Sequence, residues 1–462
     1  MITEKLTFPE LLESSQGKKI LFLGREGIFR VKEIARFLKK YDVAMTADYE
    51  EDVVGVVEHH ALNPVEEDIS CAAYDDGIPL FKLLDFEKLL SESIDDDELL
   101  MGVKLANDQE RIFRLLGNEH ISNILFVKLL GMYEWHEEDE DNREDRDVIM
   151  YTLRRYIKIK PNEEDLLYSS LTLKRLAHEA TDPRLLEVLI KFPNITFLQK
   201  GKQKITLRES IATNPHVDKE TRERLMRLRD AGVDRYLAAN STTPLSVLQK
   251  YAQRDEEEIN QSLASNPHID EVLFSSLLHK SDTVIQLLLW YQPITIQRYA
   301  QIEKRCVDET LFASLGDNRT IDQEVVERLL QSQNSALLVN MAGNDTLDAQ
   351  SLERIYRRNI KKTYQYLAIN SATPVALLRE LYENHSDEKD ILIGLAYNTA
   401  TPVEILMALY ERDDFEITKG IASNASVPLE ILNILKIDTR LRNELTTNKT
   451  FVASITQKLG LS

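Results

Sequence analysis

The sequence predicts a mainly α-helical protein: an α-solenoid of roughly 26-residue two-helix repeats, preceded by a small α/β domain. Three observations predict it. An eight-residue phrase recurs, as "LAANSTTP" from Leu237, "LASNPHID" from Leu263, "LAINSATP" from Leu367, "LAYNTATP" from Leu395 and "IASNASVP" from Ile421. Its fourth residue keeps step: Asn214, Asn240, Asn266, Gln292, Asn318, Asn344 and Asn370 are each 26 residues apart, and Asn398, Asn424 and Asn448 follow at 28, 26 and 24. A period this regular means stacked units, each burying its apolar face against its neighbours. Residues 18–90 have another rhythm, in which short apolar runs alternate with amphipathic ones, as an α/β segment requires.

In that segment "KKILFLG" reads as a strand, "RVKEIARFLKKYD" as an amphipathic helix, and "VAMTAD" and "DVVGVVEH" as further strands. "VEEDISCAAYDDG" reads as a helix, "IPLFKL" as a strand and "DFEKLLSE" as a closing helix. This order, with "GIPLFKLLDF" before the final helix, resembles a BRCT domain, with Phe86 where that family commonly has Trp. The resemblance implies a phosphopeptide pocket built on a Ser or Thr before Gly24 and a Lys on the second helix. Leu23 stands in the hydroxyl position, and that helix opens with Glu66, Glu67 and Asp68 and has no Lys, so no phosphate recognition is expected. The "GREG" stretch, Gly24 to Gly27, lacks both the third glycine of a dinucleotide loop and the Lys of a P-loop.

The α/β domain is expected over 1–95, degenerate helical repeats over 96–170, and the regular array over 171–462. "LLGNEHISNILFVKLL" carries Asn118 with the helix-start residue Ser122 four positions on, and "LAHEATDPRLLEVL" places Glu179 at the marker. The like-charged run over 134–147 reads as a solvated acidic loop without calcium-loop spacing. "PNITFLQKGKQK" reads as a loop inserted between Glu179 and Asn214.

Within a repeat, the aliphatic residue three before each marker (Leu237, Leu263, Leu289) ends one helix. Four residues after the marker, Pro (244, 374, 402, 428) or Asp (218, 270, 322, 348) starts the next. Pro suits the first turn because its missing N–H would have no partner there, with Thr243 before it as a cap, whereas Asp accepts orphan N–H groups. Asn at the marker fits a helix exit through an αL conformation or a side-chain turn bond. The form "LAxNxxxP" followed by an aliphatic helix resembles the leucine-rich repeat variant family, a relative of HEAT and armadillo arrays, over Leu176 to Leu459. That resemblance implies a curved right-handed superhelix.

Composition narrows the function. Residues 1–150 hold 17 Lys+Arg against 35 Asp+Glu, and the remainder 40 against 42, so the front repels nucleic acid and anionic membrane while the rest is near neutral. No secretory signal and no apolar stretch of membrane-spanning length is visible, and Cys71 and Cys306 are too few for a disulfide framework or thiolate metal site. A cytoplasmic location, no membrane, no metal and no cofactor are expected. Motifs of known catalysis are missing and the nine His are scattered, so an enzyme is not expected.

Two departures from the repeat mark candidate binding residues. "LLLWYQPITIQRY" replaces Asn with Gln292 and Pro or Asp with Ile296, and sets Trp290 and Tyr291 beside the break; it reads as a degenerate unit restarted by Pro293, or as an aromatic anchor for a partner. "RIYRRNIKKTYQY" gathers Arg354, Arg357, Arg358, Lys361 and Lys362 near Tyr364 and Tyr366, which reads as a solvated face or as a grip on an acidic peptide, the chain's own acidic segment, or phosphates. The expected function is a noncatalytic scaffold or adaptor that binds a protein on the extended surface of the array. The alternative is an accessory factor in nucleic-acid transactions, working through the BRCT-like domain and the basic cluster.

Overall fold

The computed structural model describes residues 7–25, 27–136, 142–158, 170–198, 204–305 and 308–458. Residues 137–141 of the acidic loop, 159–169, 199–203 of the expected insertion, Cys306 and the stretch from Leu459 lie outside the described residues. The chain is mostly helical, with a small parallel sheet near its start, and divides into two units, Met1–Val233 and Asp234–Ser462. Among the described residues no helix is long and apolar enough to cross a membrane.

The first unit opens with the strands β1 (Lys19–Leu23), β2 (Ala44–Thr46), β3 (Val53–Glu58) and β4 (Leu80–Lys82), all parallel in the order β2-β1-β3-β4. Between them run α2 (Val31–Lys39) and α3 (Pro64–Asp75), and α4 (Leu83–Ser93) follows β4 directly. Each matches a segment read from periodicity. The sequence reading missed α1 (Phe8–Ser14), whose start is a Thr7–Glu10 capping pair: the Glu10 carboxylate accepts the Thr7 N–H at 2.8 Å. This helix buries Phe8, Leu11 and Leu12; Phe8 meets Phe86 edge-to-face at 5.4 Å, and Phe86 itself is fully buried and packs edge-to-face on Phe22 and Phe37.

The helices α5 (Asp96–Ala106), α6 (Gln109–Leu116) and α7 (Asn123–Leu130) come next. Arg111 of α6 reaches Glu33 of α2 at 2.6 Å, both nearly out of solvent, so the sheet segment and its first helical neighbours share a buried ion pair. On the flanks of the acidic loop Glu134, Arg143, Glu144 and Arg146 are exposed, as read, and one acid is anchored. Asp145 is buried, accepts the Tyr133 hydroxyl at 2.8 Å and the His136 N–H at 3.0 Å, and lies inside the helix α8 (Arg143–Tyr156). The insertion forms a short antiparallel pair, Thr196–Phe197 with Ile205–Thr206.

In the second unit two helices alternate. The first helices, Glu257–Ser265, Asp282–Tyr291, Ser335–Gly343, Lys361–Ile369, Lys389–Tyr397 and Phe415–Ser423 among them, pack in sequence, one on the next. The unit after Asp282–Tyr291 ends its first helix in a 3-10 turn, Ser314–Asp317. Close approach requires small residues. A Cβ on Gly420 would stand 2.7 Å from that of Ala396, and one on Gly316 only 2.7 Å from the Leu337 carbonyl oxygen. The second helices start as read at Asp270 and Asp348, and in the first unit at Asp218, whose carboxylates accept N–H groups three residues on, whereas Asp322 is an N-cap whose side chain makes no capping bond. At the Pro starts the expected cap is absent: Pro244 and Pro374 are themselves the N-cap residues, and the Thr243 and Thr373 hydroxyls donate to the carbonyls of Leu237 and Leu367 at 2.7 Å. These threonines close the end of the helix before, not the start of the helix after.

Candidate binding surfaces

The recurring asparagines decide what is left over for binding, and they are all buried. In the second unit, from Asn266 onward, each amide nitrogen bridges back to the preceding repeat. Asn370 Nδ2 donates to the carbonyls of Ala342 and Asn344 at 2.9 and 3.0 Å; Asn424 does the same to Ala396 and Asn398 at 2.9 Å. Meanwhile the amide oxygen accepts the N–H two residues on, from Ala372 to Asn370 and from Ser426 to Asn424. In the first unit, Asn214 donates to Ala177 and Ala180 and accepts from His216. The markers adopt extended backbone, such as φ −68° and ψ 120° at Asn370, so the side-chain turn bond is used and the αL option is not. The amide therefore closes its own turn and satisfies orphan helix-end carbonyls of its neighbour.

Gln292 explains the break. Its extra carbon still lets Nε2 reach Ala264 and Asn266, both at 2.8 Å, but the residue two before it is Trp290, where other repeats carry Ala238, Ala264, Gly316, Ala342, Ala368, Ala396 or Ala422. An indole cannot occupy that contact. Asn318 consequently takes the Leu289 carbonyl at 2.7 Å, one residue earlier than the pattern, and the tryptophan turns outward. Arg298, itself buried, fills the gap with bonds to Gln292 Oε1 and to the carbonyls of Pro293 and Ile269. Trp290 is 37% and Tyr291 57% exposed; they meet edge-on at 6.4 Å over a depression lined by Asp317, Arg319 and Thr320. Burial pushes the Asp317 carboxyl up, and the Trp290 indole N–H bonded to it pulls the other way. Tyr291, Ile369 and Tyr397 sit at the same position of their repeats, just before the marker, and all are exposed.

The basic cluster is divided by the structure. Arg354 pairs with Glu327 at 2.7 Å, Arg357 with Glu380 at 2.6 Å, and Arg358 donates to the Ser332 carbonyl at 2.9 Å and to Gln333. That last bond recurs in Arg412, which donates to the Ser386 carbonyl, so it is a rung between successive turns. Tyr364 corrects the sequence reading: it is buried against Tyr356 and His385, with ring centroids 5.2 and 4.5 Å away, and offers no ring to a partner. Lys361 and Lys362 are exposed and make no ion pair or side-chain hydrogen bond among the described residues. They open their helix, whereas Trp290 and Tyr291 close theirs, so the two candidate groups do not converge.

Sequence reasoning also missed a cleft of about 700 Å3 at the carboxyl ends of β1, β3 and β4, where the strand order reverses. Gly24, at φ +95°, makes the turn out of β1, and its N–H, the natural anion donor, already binds Glu66 Oε1 at 3.2 Å. Gly27 is required for the close approach of Glu87, whose oxygen would stand 2.0 Å from any Cβ there. Among the described residues no group of His, Cys, Asp and Glu is arranged to hold a metal ion, and Cys71 is exposed. In comparisons with known proteins, the chain matches no family model, no curated protein and no solved structure.

Proposed function

We propose that the protein is a noncatalytic scaffold that binds another protein on the extended surface of an α-solenoid of the leucine-rich repeat variant type, preceded by a BRCT-like domain. The helix-to-helix rungs at the repeat period support the solenoid, and the parallel order β2-β1-β3-β4 supports the BRCT-like reading. The observation that carries the functional reading is the exposed Trp290–Tyr291 pair at the place where the repeat is broken. Large aromatics, desolvated by a partner, supply much of the affinity at protein interfaces. Cytoplasmic location accords with two cysteines and no disulfide framework.

Lys361 and Lys362 add a second contact. A helix N-terminus is the positive end of the dipole and favours acids. Four of the other first helices follow this rule, with Glu257 and Glu258, Asp282, Asp390 and Glu416 in their first turns, and Ser335–Gly343 carries no charge there, while this helix carries two lysines. Such a charge disfavours the isolated fold and suits an acidic partner segment. The nucleic-acid alternative draws on the same lysines but loses support from Arg354, Arg357 and Arg358, whose charges are matched or bonded within the chain.

The test is capture by the tagged full chain from its native host, with partners identified by mass spectrometry. Trp290→Ala combined with Tyr291→Ala should abolish capture of a specific protein at temperatures well below the melting midpoint, where the variant keeps the parent's helical circular dichroism. Capture that survives this variant, or that proves to be nucleic acid released steeply by salt, overturns the reading.

A further inference from the structure

We infer that the cleft at the carboxyl ends of β1, β3 and β4 binds the cationic side chain, lysine or arginine, of a basic peptide. The central group is Glu87 on α4. Its side chain is among the most buried charges of the segment, at 7% residue exposure, and lines the cleft. One carboxylate oxygen accepts the Ile28 N–H at 2.5 Å; the other accepts no hydrogen bond from the described residues, and no cation among them pairs with it. Burial holds this carboxyl above the ordinary glutamate range, against the pull of the Ile28 N–H. A largely buried carboxylate that lines a cleft with one oxygen free is an acceptor that a cation in the cleft can complete.

The walls fit the rest of such a ligand. Leu62, Leu83 and Ile28 are apolar and suit the methylene stem of Lys or Arg, while Glu58 and Glu67 stand where its charged head would pass. Glu58 is held in place by the Ser70 hydroxyl at 2.8 Å. An anion is opposed twice, by the Glu66 carboxylate already seated on the Gly24 N–H and by the acid excess of the first 150 residues. Of the basic groups at the rim, Arg114 pairs with Glu110 at 2.8 Å, which leaves Lys82 and the His59–His60 pair as the opposing charges.

The experiment is titration of the full chain, at low ionic strength, with a lysine-rich peptide blocked at both ends, with spermidine, and with a phosphoserine peptide. The basic peptide should bind saturably. Glu87→Gln keeps the size and the Ile28 bond and should weaken binding about tenfold or more, the loss expected for one charge-assisted bond. Glu67→Gln, on the exposed wall, should weaken it by a smaller factor and covers the case in which the Glu87 variant fails to fold. Glu92→Gln, an equal charge change outside the cleft, should leave binding unchanged. Competition by spermidine supports the same chemistry and identifies a free amine as a possible source of the ligand. Failure of the basic peptide to bind, equal weakening by the Glu92 variant, or tighter binding of the phosphopeptide overturns the inference. None of these outcomes bears on the Trp290 surface.

Discussion

The asparagine ladder and the Glu87 cleft are two places where polar side chains are buried, and they are completed differently. In the ladder, Asn370 uses both amide donors on carbonyls of the previous repeat and its oxygen on its own turn. In the cleft, Glu87 receives one backbone N–H and no more among the described residues. Both side chains are largely buried, yet only the second has bonding capacity to offer a ligand. Burial of a polar group therefore says little about function until its donors and acceptors are accounted for. A group that recurs at the repeat period and is fully bonded belongs to the fold; one that occurs once and is half bonded is available for something else.

The largest expected effect breaks the ladder. A turn bond alone would accept Asp in place of Asn, because Asp also takes the N–H two residues on. A rung needs the amide donors. Asn370→Asp should thus cost about 3 kcal/mol in chemical denaturation, since the buried carbonyls of Ala342 and Asn344 lose their donor and face an oxygen instead. A cost below about 1 kcal/mol would reduce the residue to local punctuation.

A second change sharpens the account of the broken repeat. Trp290→Ala restores the small residue of the contact and Gln292→Asn restores the marker. Either alone should destabilise, while the double variant should recover about 1 kcal/mol beyond additivity, because the register of Asn318 depends on both. Simple additivity in a double-mutant cycle would detach the exposed tryptophan from the register shift.

Glu87→Gln tests the other side of the comparison without any ligand. A glutamate held above its ordinary pKa in the folded state keeps a proton that the unfolded chain has released, so its contribution to stability falls as pH rises through that window. The variant should melt slightly higher than the parent at neutral pH, and the gain should vanish as pH drops towards the ordinary glutamate range. Destabilisation at neutral pH would show that the charge is already compensated. The smallest effect belongs to Lys361→Glu, which should stabilise by about 0.3 kcal/mol, the lower end of a dipole interaction at an exposed first helical turn. A loss of stability would place this lysine in the fold and remove it from the binding surface.

Much was legible in the chain itself. The marker spacing located the rungs from Asn266 onward, because an identical residue recurs at the repeat period, and the alternation over 18–90 located each strand and helix of the sheet segment, because it is a local periodicity of apolar residues. The helix α1 went unread because at seven residues it is too short to show a period, although its Thr7–Glu10 pair was visible. Of the candidate site, Trp290, Tyr291, Lys361 and Lys362 stayed on the surface as their residue types suggest, while Tyr364 is core and three arginines are bonded to neighbouring turns. No spacing rule separates those cases, since each arginine bonds to a partner 23 to 27 residues away and Tyr364 is covered by Tyr356 and His385.

By itself the sequence determined which residues repeat and where helices begin and end, since caps, breakers and periodic apolar positions act over a few residues. Only the tertiary structure decided that the asparagine amides join one repeat to the next, that Trp290 is expelled by a contact with room for nothing larger than alanine, and that Glu87 lies half-bonded at the end of a parallel sheet. Those facts depend on which carbonyl or N–H lies within about 3 Å of a given side chain, and packing, not local pattern, sets that distance.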